Sequence, residues 1–375
     1  MSDLDKYREQ IDTVDKELVR LFQKRVGIVE HIAEYKIRSG KDVFDRKREQ
    51  EKLETLTKYG DTDFMKSGIR ELFNQIMAIC RKRQYQLIAE NGVRLPRDYA
   101  VTKKLYFHRA HVVFQGIEGA YSSEAMKSFF DNSIESSHVE TWREAMEMVA
   151  DGDADFAVLP IENSTAGIVS DIYDLLLEFD NYIVGEQILP IHHVLLGTQN
   201  SSLEQIRTVY SHPQAIAQCR EFLDSHPDWK RRELLNTAVA AEKVLRDNDP
   251  SRAAIASRSA ASFLGLKILK EGISSGTNAT RFIIVSHHRM FVESANKISI
   301  CFGLPHACGT LYQILGHFIF NGLSMIKIES RPIPDMPFEY RFFIDFEGNL
   351  GEAAVRNALK GIQEEADGLK LLGNY

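Results

Sequence analysis

The sequence predicts a multi-domain protein with an all-α helical N-terminal domain, an α/β middle domain and an α+β C-terminal domain. Its 375 residues are enough for about two to three domains of ordinary size. Residues 4–90 read as helices with few Gly or Pro, whereas residues 111–286 alternate short β-rich runs with helical patterns. Residues 297–375 have the apparent order strand, helix, strand, strand, helix, strand, which fits a βαββαβ sandwich.

Composition and charge exclude several classes of protein. Apolar residues make up 44% of the chain and charged residues 26%, which excludes disordered and collagen-like chains. The net charge of -7 argues against a general nucleic-acid binder. Residues 298–326 carry no Asp, Glu, Lys or Arg, but polar residues, a proline and four glycines interrupt them, so we predict strand, loop and helix rather than a membrane span. The charged N-terminus does not have the pattern of a secretory signal.

Sequence motifs for metals and cofactors are absent. The four cysteines, Cys80, Cys219, Cys301 and Cys308, form no CxxC pair and have no metal-ligand spacing. No GxGxxG follows a predicted strand, and no P-loop, GxSxG or HExxH is found. We therefore expect reduced thiols in a cytoplasmic protein, with no metal ion and no cofactor.

The helical block begins with one apolar seam. From Leu4 to Tyr35 apolar residues recur at alternating spacings of three and four, and Arg25 takes one seam position. A desolvated, unpaired guanidinium is costly, so Arg25 either binds an anion or extends its head into water. Lys36 lies three turns further on nearly the same face, so both cations can lean towards one site.

Two more residues bear on this possible site. Arg8 lies seventeen residues before Arg25, roughly 25 Å along a helix axis, which is too far for one straight helix to bring both to a small ligand. If Arg8 joins this site, it comes from a second chain packed antiparallel. On the third predicted helix, Gln84 follows core positions, and its amide is either a register-setting polar contact or a ligand donor.

The helical block contains the series YREQIDTVDKEL, QKR, EYK and FDRKRE, followed by a late glutamine on a third helix. This series resembles the all-helical chorismate mutase domain, an intertwined dimer in which each chain completes the other's site. In that family, cations hold the two carboxylates of chorismate and stabilise charge on its ether oxygen. A serine is usual where Cys80 stands. The resemblance implies a site made of Arg8 from the partner chain with Arg25, Lys36, Asp45, Arg48, Glu49 and Gln84.

The α/β block contains four short motifs: GIEGAYS at 116–122, PIENSTAG at 160–167, SHPQAIAQC at 211–219 and NATRF at 278–282. Individually, each could be only a turn or a helix N-cap. Glu162, Asn163 and His212 follow apolar strands, where ligands bind in open α/β sheets. Together and in this order, the motifs resemble prephenate dehydratase. The resemblance implies two α/β lobes, similar to those of periplasmic binding proteins, with the active site between them.

The same resemblance places Thr280 at the catalytic centre. Prephenate loses carbon dioxide and its ring hydroxyl, and a positioned donor such as Thr280 would help the hydroxyl leave. Arg281 could clamp a substrate carboxylate or serve as a structural ion-pair partner. We assign as lining or supporting residues Glu162, Asn163, Ser164, Gln218, Asn278, Arg281 and Phe282.

The C-terminal block carries CGTL at 308–311, opening its first helix, and ESRP at 329–332, closing its second strand. It resembles an ACT domain, which in related dehydratases binds phenylalanine at a contact between two subunits. A helix N-terminus can accept an amino acid's carboxylate. Thr310 stands where the family usually has alanine, and the alternative is a domain that only dimerises the chain. The implied effector residues are Gly309, Thr310, Leu311, Glu329, Ser330, Arg331 and Pro332.

The sequence therefore predicts a bifunctional chorismate mutase and prephenate dehydratase that phenylalanine inhibits. We expect a homodimer or higher homo-oligomer with no nucleic-acid or membrane partner. The competing class is a non-catalytic metabolite-binding regulator with the same folds. Residues 99–107 could form a strand or a helix. The predicted divisions are a mutase domain at 1–91, a linker at 92–109, a dehydratase domain at 110–290 and an ACT domain at 296–375.

Overall fold

The computed structural model describes residues 2–91, 99–307, 309–333, 336 and 339–375. It divides into two compact units, the first comprising Met1–Tyr99 and Glu293–Leu371 and the second Ala100–Val292 and Leu372–Tyr375. The N-terminal helices and the C-terminal βαββαβ block thus share one unit, a grouping that the sequence analysis did not anticipate. Residues 92–98 of the predicted linker, and Cys308 of the CGTL motif, lie outside the described residues.

The helices and strands have the following bounds. The helices are α1 (Asp3–Ser39), α2 (Arg46–Thr57), α3 (Asp63–Glu90), α4 (Tyr121–Phe129), α5 (Trp142–Asp151), α6 (Ser170–Glu178), α7 (Pro213–Gln218), α8 (Arg220–Asp224), α9 (Thr237–Asp247), α10 (Arg258–Leu264), α11 (Thr310–Phe320) and α12 (Ala353–Glu365). The strands are β1 (Ala100–Thr102), β2 (His111–Gln115), β3 (Glu135–Val139), β4 (Phe156–Asn163), β5 (Gly167–Ile168), β6 (Tyr182–Pro190), β7 (Val194–Gly197), β8 (Thr208–Ser211), β9 (Lys230–Glu233), β10 (Arg252–Ala256), β11 (Lys267–Lys270), β12 (Ala279–Ser286), β13 (Met290–Val292), β14 (Lys297–Gly303), β15 (Met325–Pro332), β16 (Tyr340–Glu347) and β17 (Asp367–Asn374).

Local sequence signals set the ends of the first three helices. The side chains of Ser2, Asp45 and Thr62 cap α1, α2 and α3 by accepting hydrogen bonds from backbone N–H groups in the first turns. Gly40 ends α1 in the left-handed conformation, with φ 65°. The predicted all-α character of this block is confirmed.

The apolar seam of α1 is exposed over most of its length in the single chain. Only Val29 and Ala33, on the part of α1 that packs against α3, are buried. The exposed fraction is 63% for Tyr7 and 59% for Ile11. The exposed seam residues are Leu4, Tyr7, Ile11, Val14, Leu18, Leu21, Ile28, Ile32 and Tyr35. An apolar face of this length points to a partner that covers it.

The C-terminal block has the predicted order of elements. Its strands form a sheet in the order β15, β16, β14, β17, with α11 and α12 packed together. The uncharged stretch 298–326 forms strand, loop and helix, as predicted. No helix in the described part of the chain is long and apolar enough to cross a membrane.

Within its described residues the second unit contains two larger sheets, each covered by helices, and a two-stranded sheet. One has the strand order β6, β12, β4, β2, β3, and the other has the order β11, β7, β10, β8, β9. The stretch whose structure the sequence left open contains β1, which pairs in parallel with β13. The second unit therefore has two sheets with helices packed on them, which agrees with the α/β pattern predicted for this part of the sequence.

Three of the four cysteines are described, and all three are free and buried. Burial raises the pKa of Cys219 to about 12, and that of Cys301 to about 12 against the opposing charges of Arg341 and Lys370. These two thiols are therefore protonated at neutral pH and suited to core packing.

Candidate active sites

Thr280 and Asn163 lie opposite each other on neighbouring strands of the second unit. Strand β12 runs antiparallel to β4, and the register pairs Thr280 with Asn163 and Arg281 with Glu162. Asn163 Nδ2 donates to Thr280 Oγ1 at 2.9 Å and to Asn278 Oδ1 at 2.8 Å. All three of these polar side chains are buried. Two motifs separated by more than one hundred residues therefore meet at one point.

The hydrogen bonds to its oxygen fix the orientation of the Asn163 amide. Oδ1 accepts from Thr165 N at 3.1 Å, Thr165 Oγ1 at 2.7 Å, Ala166 N at 3.0 Å and Gln214 Nε2 at 3.1 Å. With donors around its oxygen, the amide presents its NH₂ group to Thr280. Because Thr280 Oγ1 accepts this bond, its own O–H is available to donate elsewhere.

A series of hydrogen bonds with one consistent direction leads to Asn163. Tyr121 OH lies 2.8 Å from His193 Nδ1 and 3.1 Å from His192 O, so its one proton is shared between these two acceptors when His193 Nδ1 is unprotonated. In that tautomer His193 Nε2 donates to Gln218 Oε1 at 2.8 Å. Gln218 Nε2 donates to Thr165 Oγ1 at 2.8 Å, and that hydroxyl donates to Asn163. We call this series the hydroxyl chain. Its members are Tyr121, His193, Gln218, Thr165, Asn163 and Thr280.

The direction of the hydroxyl chain requires a neutral imidazole at His193, with Nδ1 accepting and Nε2 donating. Burial lowers the pKa of His193, and this effect outweighs the opposing hydrogen bond to Gln218. The neutral form is therefore favoured at neutral pH. Burial also raises the pKa of Tyr121 well above its usual range, so its hydroxyl keeps the proton that it donates.

Two other predicted residues border Thr280. Ser164 is tied to Ala279 by two hydrogen bonds, from Ser164 N to Ala279 O at 2.9 Å and from Ala279 N to Ser164 Oγ at 3.0 Å. Asn278 is buried, and its Nδ2 has no hydrogen-bond partner within the described ranges. A buried donor without a partner is costly unless a ligand satisfies it.

Arg281 and Phe282 have different surroundings. The Arg281 guanidinium lies between two carboxylates, with Nε 3.7 Å from Glu162 Oε2 and Nη1 3.5 Å from Glu186 Oε2. Of the two roles left open for Arg281, this geometry favours the structural ion pair. Phe282 is packed in the apolar core of the sheet with Phe114, so its position supports the strand rather than facing a ligand.

Sequence reasoning missed four members of this network: Thr165, Gln214, Tyr121 and His193. The first three lie inside motifs that the sequence analysis singled out, so motif membership could have identified them. His193 follows a second histidine and has no distinguishing local pattern. Its position depends on long-range pairing, which single-sequence reasoning does not supply.

In the first unit, the Arg25 side chain contacts Cys80 of α3. Its Nη1 lies 2.6 Å from Cys80 Sγ, and Gln84 Nε2 donates to Cys80 O at 3.3 Å. Burial raises the pKa of Cys80, although the charge of Arg25 opposes this. The Oε1 atom of Gln84 is buried without a hydrogen-bond partner in the described part of the chain.

Lys36 reaches the loop that precedes α2. Its Nζ donates to Val43 O at 2.7 Å. Burial lowers the pKa of Lys36, while the carboxylates of Glu364, Asp45 and Glu49 act in the opposite direction. Glu49 is half-buried one turn after the helix cap Asp45. These charges lie close enough to influence one another.

The remaining predicted mutase residues are exposed. The Arg8 side chain is 67% exposed, and its Nη1 lies 3.8 Å from Asp5 Oδ1. Arg48 is exposed in the first turns of α2. A single chain therefore gathers Arg25, Lys36, Glu49 and Gln84, while Arg8 lies on the exposed part of α1.

Helix α12 of the C-terminal block contacts this site from the same unit. Glu364 Oε2 accepts hydrogen bonds from Val43 N at 2.9 Å, Phe44 N at 3.0 Å and Tyr85 OH at 2.9 Å. Three donors on one carboxylate hold the loop before α2 in place. More than 270 residues separate the partners, so no local pattern could have predicted the contact.

A cavity of about 90 Å³ lies at the start of α11. Gly309 precedes the helix with φ 81°, and Thr310 Oγ1 lies 3.2 Å from Pro305 O and 3.1 Å from Ala307 O. The other predicted effector residues, 329–332, lie on β15 at the edge of the sheet. The cavity is lined by Leu304, Pro305, His306, Ala307, Thr310, Leu311, Tyr340 and Phe342.

Comparisons with known proteins match two separate parts of the chain to two enzyme families. The model of type II chorismate mutases matches residues 7–85, and that of prephenate dehydratases matches residues 112–290. The chain is 33% identical to the bifunctional chorismate mutase/prephenate dehydratase of Enterobacter agglomerans, over 98% of this chain and 94% of that protein. It is 32% identical to the protein of the same name from Escherichia coli K12, over 98% of this chain and 95% of that protein.

A solved structure extends the comparison. Prephenate dehydratase from Arthrobacter aurescens, in complex with L-Phe, is 31% identical, with a TM-score of 0.66 over 71% of this chain and 89% of that chain. Fold and matches together define an enzyme with an isomerase domain and a lyase domain, which confirms the two enzyme classes predicted from the motifs. The chain belongs to the bifunctional chorismate mutase/prephenate dehydratase family.

Proposed function

We propose that this chain converts chorismate to prephenate in its first unit and prephenate to phenylpyruvate in its second, as two steps of phenylalanine biosynthesis. The observation that carries the proposal is the hydroxyl chain, which ends at Thr280 within the residues that match the dehydratase family. Three of its six members, His193, Asn163 and Thr280, are buried. Buried polar groups are costly unless they are paired, and a reaction at the end of the chain explains why they are kept.

In the dehydratase step, Thr280 donates its free O–H to the leaving ring hydroxyl. The bond between the ring and its carboxylate breaks to release carbon dioxide, and its electron pair enters the ring, which becomes aromatic. The hydroxyl departs as water with the proton from Thr280, and solvent returns a proton to the threonine oxygen. Asn163 supports this role by donating to Thr280 Oγ1, which keeps the hydroxyl hydrogen turned away from the amide. The free Nδ2 of Asn278 is a second donor suited to a substrate oxygen.

In the mutase step, no covalent chemistry by the protein is needed. Arg25, Lys36 and partner-chain Arg8 would hold the carboxylates and stabilise charge on the ether oxygen, with Gln84 as an uncharged donor. Glu49 would accept a hydrogen bond from the ring hydroxyl of chorismate. The exposed seam of α1 supports a second copy of this chain as the source of the missing arginine.

We further propose that the C-terminal block is an ACT domain that binds phenylalanine. The cavity beside α11 supports this, since it joins an apolar lining to a helix N-terminus, which suits an aromatic amino acid with a carboxylate. The Thr310 hydroxyl has acceptors at Pro305 and Ala307, so it adds no unpaired donor to the cavity. The L-Phe complex of the Arthrobacter aurescens relative lends further support.

The test is to supply the purified full-length protein with chorismate and to follow prephenate and then phenylpyruvate. We expect both products in succession. A non-catalytic regulator would instead bind chorismate or prephenate, as measured by calorimetry, without converting either. Binding without turnover by the folded protein would therefore reject the proposed function.

A further inference from the structure

Arg81 on α3 is a buried cation that the proposed mutase chemistry does not use. Its side chain is only 5% exposed. Nη1 donates to Glu49 Oε2, while Nε and Nη2 donate to the two oxygens of Glu365 at 2.8 and 3.3 Å. Glu365 closes α12, so one guanidinium joins a predicted mutase residue to the C-terminal block.

The electrostatics keep Arg81 and Glu365 charged. Burial raises the pKa of Glu365, but His317 and Arg81 outweigh it and hold that pKa below its usual range. His317 Nε2 lies 3.2 Å from Glu365 Oε1. Burial opposes the charge of Arg81, yet Glu365 and Glu49 raise its pKa further. A buried charge of this kind persists only in a paired geometry.

The geometry also restricts movement. The edge of the guanidinium that carries Nε and Nη2 is occupied by Glu365, and the Arg81 Cζ atom lies 4.7 Å from the centre of the Phe44 ring. The free edge of the guanidinium carries the Nη1 hydrogens and the second Nη2 hydrogen, and Glu49, whose side chain is 22% exposed, accepts from Nη1 on that edge. Glu49 therefore has one strongly favoured position.

We propose that Arg81 is a positioning residue of the mutase site: it holds the carboxylate of Glu49, and Glu365 of α12 holds Arg81. The inference rests on the proposed mutase function, in which Glu49 faces the ring hydroxyl of chorismate. It follows that mutase geometry depends on the C-terminal block. Glu364, which holds the loop before α2, is a second point of the same support.

The experiment measures kcat and KM for chorismate in full-length variants, with circular dichroism and thermal melting as the control for folding of the first unit and dehydratase activity on supplied prephenate as the control for the second. In Arg81→Met we expect kcat to fall about ten- to a hundredfold, because small displacements of a positioned group are costly in the transition state, while KM changes less. Arg81→Lys, which keeps the charge, should restore part of the loss.

The matched control is Arg83→Met on the same helix. Arg83 pairs with Glu30 of α1 through Nε at 2.8 Å and does not contact Glu49. Its kcat should stay within about twofold of wild type. In an Arg81→Met/Glu49→Gln double variant, kcat should be no lower than in Glu49→Gln alone, since Arg81 acts through Glu49.

Arg81→Met leaves Glu365 buried with one fewer partner, which can destabilise the unit. The Arg81→Met/Glu365→Leu variant removes both charges and is expected to fold. If this variant is folded and keeps the kcat of wild type, the positioning role is wrong. Additive losses in the double variant with Glu49→Gln would equally overturn it. An inactive wild-type protein would instead reject the proposed function itself.

Discussion

The mutase and dehydratase sites are built from different kinds of groups. In the first unit the predicted site gathers charged side chains, and one of its residues, Arg8, lies on an exposed helix face. In the second unit the hydroxyl chain that reaches Thr280 consists of amides, hydroxyls and an imidazole, linked within one unit. In the single chain, Arg8 of the first predicted site lies apart from the other residues of that site, whereas Asn163 and Thr280 of the second are hydrogen-bonded to each other.

The difference follows from the two reactions proposed. A dianion that rearranges without a catalyst group needs fixed cations, and cations on a helix face can be contributed by two chains. A leaving hydroxide needs one donor aimed at one atom, and a chain of neutral hydrogen bonds orients such a donor without adding charge. Each prediction below separates the two sites or tests this contrast.

The largest effect is expected at the end of the hydroxyl chain. Thr280→Val is nearly isosteric and removes the donor, so dehydratase kcat should fall about 10²- to 10⁴-fold. Mutase activity should be unchanged, and chorismate should accumulate as prephenate in a product assay. Normal turnover of prephenate by this variant would reject Thr280 as the donor and make Glu162 the next residue to test.

The next largest effect is expected at the cations of the mutase site. Arg25→Ala and Arg8→Ala should each lower mutase kcat/KM about a hundredfold or more, with dehydratase activity on supplied prephenate largely retained. Comparable loss of both activities in a folded variant would contradict independent sites.

The two arginine variants also test whether the mutase site is shared. If each site takes Arg25 from one chain and Arg8 from the other, a mixed dimer has one intact site. Equal amounts of the two variants, unfolded and refolded together, should then recover about a quarter of wild-type activity. Arg25→Ala mixed with itself is the control. Absence of recovery would place Arg8 and Arg25 in one chain's site or remove Arg8 from it.

A moderate effect is expected at the cavity beside α11. Phenylalanine at millimolar concentration or below should inhibit the dehydratase, and Ala307→Phe should weaken this inhibition roughly tenfold or more by filling the cavity. Ala307 is exposed at the rim, so basal activity should be kept. Tyrosine is titrated in parallel because Thr310 replaces the usual alanine. Inhibition that is equally strong in Ala307→Phe would exclude this cavity as the effector site.

Sequence reasoning predicted the elements of the fold and part of each site, but not the residues that support the sites from a distance. The helices and the order of the C-terminal elements follow from periodicity, whereas the resemblance of the motifs to prephenate dehydratase placed Thr280 and Asn163 in one site. Sequence reasoning did not identify Arg81, Glu364 or His193. Arg81 looks like one more surface cation in the run Arg81, Lys82, Arg83, and only the packing of α12 reveals that it is buried. Long-range pairing decides the roles of such residues, and a single sequence does not record it.

The smallest effect is expected from the pH dependence of His193. Burial lowers its pKa below the ordinary value of about 6.5, so His193 is neutral in the folded protein at pH values where the unfolded chain binds a proton. The stability of the second unit should therefore be fully present above about pH 6.5 and decline as the pH falls below it, by up to about 1.4 kcal/mol for each unit by which the pKa is lowered. His193→Gln keeps the donor to Gln218 but does not titrate, so its melting temperature should lose this dependence. Protonation of His193 in the folded protein comes only at the lower end of this range, where it removes the Nδ1 acceptor from the hydroxyl chain. Dehydratase kcat should fall there, while mutase kcat stays unchanged. Identical pH profiles of melting temperature in wild type and His193→Gln would show that burial does not lower the pKa of His193. Identical pH profiles of dehydratase kcat would show that the hydroxyl chain does not support Thr280.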